Sequence, residues 1–305
     1  MFEKLDTEKP NPDTVNLDSM NVYQILEVMN AEDSKVPKAV SECIPQIERT
    51  VEFCIKAVKS FARVVYVGAG TSGRLAVLDS AEIIPTFGVD EGIFVPILAG
   101  GDKAFVNAVE NAEDSSETGE NALKQISLKT DDVVIGITAS GRTPFVKGAL
   151  SYAKTVGCST CLICNVSDPR LSDSADIVIS AYTGPEVLTG STRLKAGTAQ
   201  KLILNMISTA TMIKTGRVFG NYMIGVKIMN EKLMDRAIRI VGGIAGISYE
   251  KAKQIIIASE KNVPVAILMA LTEGERELCE KTLRTADGNI RMALEKMRQT
   301  HKHLI

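Results

Sequence analysis

Residues 64–78 read VVYVGAGTSGRLAVL and predict a strand, a turn and a helix in succession. Residues 64–67 are apolar and mostly β-branched, as in a buried strand, and residues 75–78 continue as an apolar helix start. The turn, residues 68–73, has the spacing G-x-G-x-x-G, in which glycines let the backbone approach a phosphate at a helix N-terminus. Several nucleotide-binding folds share this spacing. We therefore expect an α/β unit with an anion-binding turn; the spacing alone does not identify the ligand.

The same alternation continues along the chain. Four further apolar runs have the length and composition of strands, and helical patterns separate them. Strands that alternate with helices form right-handed crossovers and therefore a parallel sheet. The prediction is an α/β fold with a doubly wound, mainly parallel sheet and helices on both faces. The further strands are expected at Ile93–Leu98, Asp132–Ile137, Cys161–Cys164 and Ile177–Ile179, and helices at Phe105–Asn111, Asn121–Ile126 and Pro144–Val156.

Helical patterns flank the predicted sheet. Apolar residues recur at helical spacing between Val36 and Val58, where Pro45 should kink or split the helix. A strongly apolar helix is expected at Leu202–Ile213, and only helical patterns remain from Asn230 onward. We divide the chain into an N-terminal arm with helices (residues 1–60), an α/β domain (residues 61–234) and a small C-terminal all-helical module (residues 235–305).

Composition excludes several classes of partner. The 305 residues carry 35 Lys and Arg against 37 Asp and Glu, so no strongly basic surface favours nucleic acid. No apolar run approaches the ~20 residues that span a bilayer, and the polar N-terminus is not followed by a signal segment. The six cysteines lack the pattern of an extracellular disulfide framework. We expect a cytoplasmic protein that binds neither membrane nor nucleic acid.

Few residues could form a metal site. Cys161 and Cys164 have C-x-x-C spacing, but residues three apart in a strand point to opposite faces, which favours two buried thiols. The only histidines are His301 and His303, in the tail. We expect neither a metal nor another cofactor.

Two turns rich in hydroxyl groups follow two of the predicted strands. We call residues 68–73 the first loop and residues 138–144 the second loop. Both fall at the carboxyl ends of strands, where α/β sheets bind ligands, and together they fit a phosphorylated sugar. In a dinucleotide site an acid about 20 residues after the turn binds the ribose; the nearest candidate here, Asp102, comes later than that, which disfavours a dinucleotide. The hydroxyl groups could also serve only as caps of the helices that follow the loops. The candidate binding residues are Gly70, Thr71, Ser72 and Gly73 in the first loop, and Thr138, Ser140, Gly141, Arg142 and Thr143 in the second loop.

Two acidic segments are candidates for catalysis. Glu82 lies about one helix after the first loop, and Glu113 is expected at the end of the helix that follows the second strand. Most such acids are solvated surface residues or helix caps, and the residues alone do not decide between these roles and catalysis. Glu186 is likewise either a site acid or a carboxylate in the first turn of a helix.

Six strings of this chain resemble the N-acetylmuramic acid 6-phosphate etherase family, which carries a sugar isomerase (SIS) domain and is similar to the glucokinase regulatory protein. The resemblance runs in order from about Leu5 to Ile240. The C-terminal module resembles the family in its order of helices more than in its residues. The strings are GAGTSGRLAVLDSAE, PTFGV, AVENAEDS, GITASGRTPFV, GPEVLTGSTRLKAGTAQKLILNM and NEKLMDRAIRI.

The resemblance implies a lyase that cleaves the lactyl ether of N-acetylmuramic acid 6-phosphate without a cofactor. The two catalytic glutamates of the family fall on Glu82 and Glu113. Lys195, together with Arg193, is a candidate for binding the substrate, although both could serve only the packing of a helix start. A homodimer is expected, because the family tends to complete its site between subunits. The chain departs from the family at Pro10, at Ile83-Ile84-Pro85 and at Gly225.

Two other functions remain open at this point. A non-catalytic SIS protein would bind a sugar phosphate and regulate a partner, as the glucokinase regulatory protein does. An aldose–ketose isomerase would share the phosphate loops and a base, but would not need a second acid for a leaving ether. The presence of both Glu82 and Glu113 favours the lyase.

Overall fold

A computed structural model describes residues 6–302, with side chains described through residue 299. Its centre is a five-stranded, fully parallel sheet in the order β2-β1-β3-β4-β5. The α/β prediction is confirmed, and each predicted strand is present with its ends shifted by no more than two residues. The strands are β1 (Val64–Gly68), β2 (Phe94–Leu98), β3 (Val133–Ile137), β4 (Ser159–Cys164) and β5 (Ile177–Ser180).

The strand order positions a ligand crevice. The chain leaves β1 for β2 on one side and then returns to β3 on the other, so the sheet reverses its direction of growth between β1 and β3. Ligands of open α/β sheets bind beyond the carboxyl ends of the strands at such a switch point. The register pairs Gly68 with Leu98 and with Ile137, so these three strands end level with one another. The first and second loops therefore both begin at the switch point.

The first compact unit comprises the chain up to Ala81 together with Gly92–Thr209. Every residue of β1 and β3 is buried, so both faces of the sheet are covered. Helices that pack on the sheet include α3 and α7. In chain order the helices that lie in or begin in this unit are α1 (Val22–Asp33), α2 (Val36–Ser41), α3 (Ile44–Lys59), α4 (Gly70–Phe87), α5 (Lys103–Val106), α6 (Ser116–Gln125), α7 (Pro144–Val156) and α8 (Lys195–Lys214).

The helix predicted at Phe105–Asn111 is wrong beyond its first residues. Helix α5 ends at Val106, and Asn107 has an extended conformation. The Arg74 side chain donates hydrogen bonds to the carbonyl oxygens of Phe105 and Asn107, which a continuing helix would need for its own ladder. Asn111 has a φ of +59°, a left-handed conformation that also interrupts a helix.

Other helices differ from the predictions at their ends. Pro45 lies in the first turn of α3, so the predicted break falls between α2 and α3. Helix α8 begins at Lys195, earlier than the predicted Leu202, because the Glu186 carboxylate accepts hydrogen bonds from the backbone N–H groups of Lys195 and Ala196.

The second compact unit comprises Glu82–Glu91 and the chain from Ala210 onward. It thus contains residues 82–91 and 210–234 in addition to the module predicted at 235–305. Its core is a cluster of buried aliphatic side chains that includes Ile238, Ile256 and Ile267. Its elements are β6 (Val218–Phe219) and β7 (Tyr222–Met223), which pair antiparallel, and α9 (Glu231–Ala245), α10 (Tyr249–Ala258), α11 (Val263–Thr272), α12 (Arg276–Thr285) and α13 (Ile290–Lys302).

None of the described helices is by itself long and apolar enough to cross a membrane, although the bent pair α10 and α11 meets the length and composition together.

Candidate active site

The first loop is shaped by its glycines. A Cβ on Gly73 would lie 2.4 Å from Cδ1 of Leu98 and 2.7 Å from the carbonyl oxygen of Gly68, so only glycine lets α4 start this close to the sheet. Gly70 has a φ of +52° and opens α4. Thr71 and Ser72 follow within the first turn, where backbone N–H groups lack helical partners and attract an anion. The predicted strand, tight turn and helix start are therefore present, and the binding of an anion at this turn stays a prediction.

The second loop is a compact cluster of hydroxyl groups. The Oγ1 atom of buried Thr138 lies 2.7 Å from Oγ1 of Thr143 and 3.4 Å from Oγ of Ser140. Gly141 has a φ of +64° and packs against Pro169, where a Cβ would come within 2.7 Å. The Nε atom of Arg142 is buried and has no hydrogen-bond partner among the described residues. A buried donor on a cation without a partner is costly, which makes this atom a candidate ligand contact.

Glu113 lies in the turn segment between α5 and α6, so the prediction that it ends a helix is wrong. The N–H of Phe145, in the first turn of α7, donates to the carbonyl oxygen of Glu113 at 3.0 Å and thereby ties Glu113 to the element that follows the second loop. Desolvation, followed by repulsion from Asp114, raises the pKa of the Glu113 carboxyl. A carboxylate with a raised pKa is a stronger base.

Glu113 and the first loop share one cavity. This cavity has a volume of about 420 Å³, enough for a sugar phosphate, and lies within the first compact unit. Gly70 lines it from the first loop, Arg74 from the next turn of α4, and Glu113 from the turn segment. Two more acids, Glu110 and Asp114, lie on its wall. The structure thus brings together one predicted catalytic residue and one predicted binding loop.

Glu82 lies on α4, where it is exposed. It is the first residue of the second compact unit, whereas Glu113 belongs to the first unit. The next residue, Ile83, is buried. The catalytic role of Glu82 remains a prediction.

Lys195 and Glu186 are both buried at the start of α8. The Lys195 ammonium forms an ion pair with Glu32, which also pairs with Lys35. Glu186 lies outside any helix, so the prediction that it lies in the first turn of one is wrong; its carboxylate instead caps α8 from 9 residues before the helix begins. The predicted contact of Lys195 with substrate stays a prediction; in the structure its ammonium is held by the carboxylate of Glu32, which it shares with Lys35. Arg193 is exposed.

Asp79 is a half-buried acid that sequence reasoning missed. It accepts hydrogen bonds from the Tyr66 hydroxyl at 3.2 Å and from the Ser208 hydroxyl at 3.1 Å. Burial raises the pKa of Asp79 from 3.8 to about 6, against the lowering effect of these two bonds and of Lys201. Tyr66 lies in β1 and is fully buried, so the network ties the middle of α4 to the sheet.

The raised pKa of Asp79 implies that the free energy of unfolding depends on pH. The folded state holds the proton of the Asp79 carboxyl more tightly than the unfolded chain does. The contribution of this protonated carboxyl to the free energy of unfolding is therefore fully present below pH ~4 and is lost as the pH rises through about 6. Asp79→Asn should therefore raise the free energy of unfolding at pH 7.5 by on the order of 1–3 kcal/mol, and much less at pH 4.5. Urea unfolding of both proteins at the two pH values measures this difference. A difference that does not change with pH would contradict it.

Sequence profiles of two domains match the chain. The profile described as the glucokinase regulatory protein N-terminal SIS domain matches residues 46–154, and that described as the SIS domain matches residues 110–210. Together they span β1 to β5 and both loops.

Curated relatives match over nearly the whole chain. A protein of Petrotoga mobilis named N-acetylmuramic acid 6-phosphate etherase is 52% identical over 284 residues, which cover 93% of this chain and 95% of that protein. Proteins of the same name from Pseudothermotoga lettingae and Listeria monocytogenes serotype 4b are each 50% identical, over 96% and 97% of this chain and 98% and 100% of their own length.

Solved structures share parts of the fold at low identity. A phosphoheptose isomerase from Francisella tularensis matches with a TM-score of 0.49 and 18% identity, over 62% of this chain and 98% of that one. The Vibrio vulnificus NanR protein complexed with ManNAc-6P matches with a TM-score of 0.46 and 15% identity, over 65% of each chain.

Proposed function

The chain belongs to the N-acetylmuramic acid 6-phosphate etherase family, and from this premise we infer that it cleaves the D-lactyl ether of N-acetylmuramic acid 6-phosphate. The products are N-acetylglucosamine 6-phosphate and D-lactate, so the protein is a carbon–oxygen lyase of amino sugar metabolism and serves the recycling of cell-wall sugar. The observation that carries this function is an identity of 50–52% to etherases over at least 93% of the chain. The cavity shared by the first loop and Glu113 supplies a place for the chemistry.

In the mechanism that we propose, Glu113 is the base. The open-chain sugar has an aldehyde at carbon-1, so the proton on carbon-2 is acidic enough for a carboxylate to remove. The electron pair of the broken C–H bond moves into an enolate. The raised pKa of Glu113 favours this step, because it makes the carboxylate a better proton acceptor.

Glu82 completes the reaction in this mechanism. The enolate expels the ether oxygen from carbon-3, and Glu82 donates a proton to that oxygen so that lactate leaves with a neutral hydroxyl group. Water then adds to carbon-3 of the unsaturated aldehyde, with Glu82 now accepting a proton from the water. Glu113 returns its proton to carbon-2, which restores both carboxyl groups to their starting states. Each acid–base contact of this kind contributes about 10²–10⁴-fold to a rate.

The second loop is the better candidate for the 6-phosphate. It offers the hydroxyl groups of Thr138, Ser140 and Thr143 and the buried Nε of Arg142, which has no hydrogen-bond partner within residues 6–299. Charge-assisted hydrogen bonds from an arginine are strong and match the geometry of a phosphate. The amides of Gly70, Thr71, Ser72 and Gly73 would then face the rest of the sugar; this assignment is part of the proposal.

The function is tested by incubating the purified chain with N-acetylmuramic acid 6-phosphate and measuring D-lactate, with and without a chelator. We expect equal lactate release in both arms, because the proposed mechanism uses only side chains of the protein. A folded protein that binds the sugar phosphate but releases no lactate would contradict the lyase and favour a regulatory SIS protein. Formation of a ketose would favour the isomerase.

We further propose that the protein is a cytoplasmic homodimer. All six cysteines are buried and, within the part of the chain that the structure describes, none forms a disulfide, which suits a reducing compartment. Exposed large apolar side chains such as Val22, Tyr23 and Leu26 on α1 offer surface for a second copy. Sedimentation equilibrium tests the assembly, and a monomer at micromolar concentration would contradict it.

A further inference from the structure

The substrate of the proposed function carries two anions at opposite ends. One is the phosphate on carbon-6, and the other is the carboxylate of the lactyl group on carbon-3. A site that selects this ether over other 3-substituted sugar phosphates needs a cation for each. We propose that Arg74 binds the lactyl carboxylate and so determines the specificity of the enzyme for its leaving group; the inference rests on the proposed function.

Arg74 is held in place by backbone carbonyl groups rather than by an acid. Its Nε atom donates to the carbonyl oxygen of Phe105 at 3.0 Å, and its Nη2 atom donates to that of Asn107 at 3.1 Å. A guanidinium has five N–H donors, so three remain without a partner among the described residues. Neither acceptor carries a charge, so these bonds fix the position of the cation without neutralising it.

The surroundings of Arg74 single it out in its cavity. Among the described residues that line this cavity, Arg74 is the only basic one, whereas Glu110, Glu113 and Asp114 are acidic. A carboxylate that enters beside three acids is repelled unless a cation compensates for them. The arginine fork binds a carboxylate through two parallel hydrogen bonds, which a lysine cannot do.

The distance of each anion from carbon-2 along the substrate favours the lactyl carboxylate over the phosphate as the group that contacts Arg74. Glu113, in the same cavity, is the proposed base at carbon-2. The ether oxygen is on the next carbon, and the lactyl carboxyl carbon is three bonds from carbon-3. The phosphate is on carbon-6, at the far end of the open chain. Arg142, in the second loop, is the cation that suits that end.

The test compares N-acetylmuramic acid 6-phosphate with the same compound in which the lactyl carboxylate is a primary amide. Wild type should prefer the acid by about 10- to 100-fold in kcat/KM, the value of a charge-assisted contact. Arg74→Met should lower the ratio of kcat/KM for the acid to kcat/KM for the amide by a similar factor, on top of any loss that both substrates share because the Phe105 and Asn107 carbonyls lose their donor. Arg74→Lys should retain part of the preference, because it keeps the charge but loses the fork.

Other outcomes separate this inference from its alternatives. Equal losses on acid and amide would overturn it, because they would mean that Arg74 only holds the turn that carries Glu113 or binds the phosphate. Equilibrium binding of both compounds is measured alongside, since it needs no turnover. Binding that prefers the acid through Arg74, without lactate release, would support the inference while the lyase function fails. Lactate release with no preference that depends on Arg74 would overturn the inference and leave the lyase intact.

Discussion

Glu113→Gln is expected to lower kcat for lactate release by about 10³-fold or more. The amide of glutamine has nearly the shape of the carboxyl group but cannot accept the carbon-2 proton, so the first step of the elimination is lost. The same variant should fail to exchange the carbon-2 proton of the substrate with solvent deuterium. NMR in D₂O follows the exchange, and a coupled lactate assay follows the release. KM should change little, because glutamine retains the size and hydrogen-bonding capacity of the side chain.

A matched control lies a few residues away. Glu117 is exposed in the first turn of α6 and does not line the cavity of Glu113, so Glu117→Gln should keep near wild-type rates of both exchange and release. Lactate release that persists in Glu113→Gln at more than a tenth of the wild-type rate would remove Glu113 from the role of base. The pH profile adds a second check: because partial desolvation and the charge of Asp114 raise the pKa of Glu113, the acidic limb of kcat/KM should lie above the ordinary pH range of a glutamate.

The sheet and the edge that carries the two loops were predictable because their signals are local. The strand that ends in GAGTSG and the strand that ends in TASGRTP each show their type within about a dozen residues, and parallel pairing follows from the alternation with helices. The switch point between β1 and β3 then places both loops together. The roles of the loops needed the resemblance, since a phosphate turn and a helix cap use the same residue types.

The surroundings of the acids were not predictable, because they depend on contacts between distant parts of the chain. The apolar spacing between Phe105 and Asn111 reads as a helix, but Arg74, 31 and 33 residues before the carbonyls it binds, ends that helix after one turn. Similarly, the sequence left Lys195 open between a substrate contact and the packing of a helix start, and its ion-pair partner Glu32 lies 163 residues away. Tertiary contacts of this kind override local patterns without leaving a signal at either position.

Glu82→Gln is expected to separate the two halves of the reaction. In the proposed mechanism Glu113 removes the carbon-2 proton, so the variant should still exchange that proton with solvent at a rate within about tenfold of wild type. Lactate release should fall by about 10²–10³-fold, because the ether oxygen no longer receives a proton and must leave as an alkoxide. Exchange by NMR and lactate by coupled assay, on the same sample, give the ratio of the two rates directly.

The ratio of the exchange rate to the release rate tests the role of Glu82, because two controls have a defined expected effect on these rates. Glu91→Gln, an exposed glutamate in the same compact unit, should leave both rates at wild-type values. A substrate analogue whose 3-O leaving group is a much weaker base needs no proton, so it should regain most of the lost rate in Glu82→Gln. If exchange and release instead fall together, Glu82 affects the carbon-2 step as well, and the division of roles between the two carboxyl groups is wrong. If the analogue is as slow as the natural ether, Glu82 does not act as the acid, because the missing proton is then not what limits departure of the leaving group.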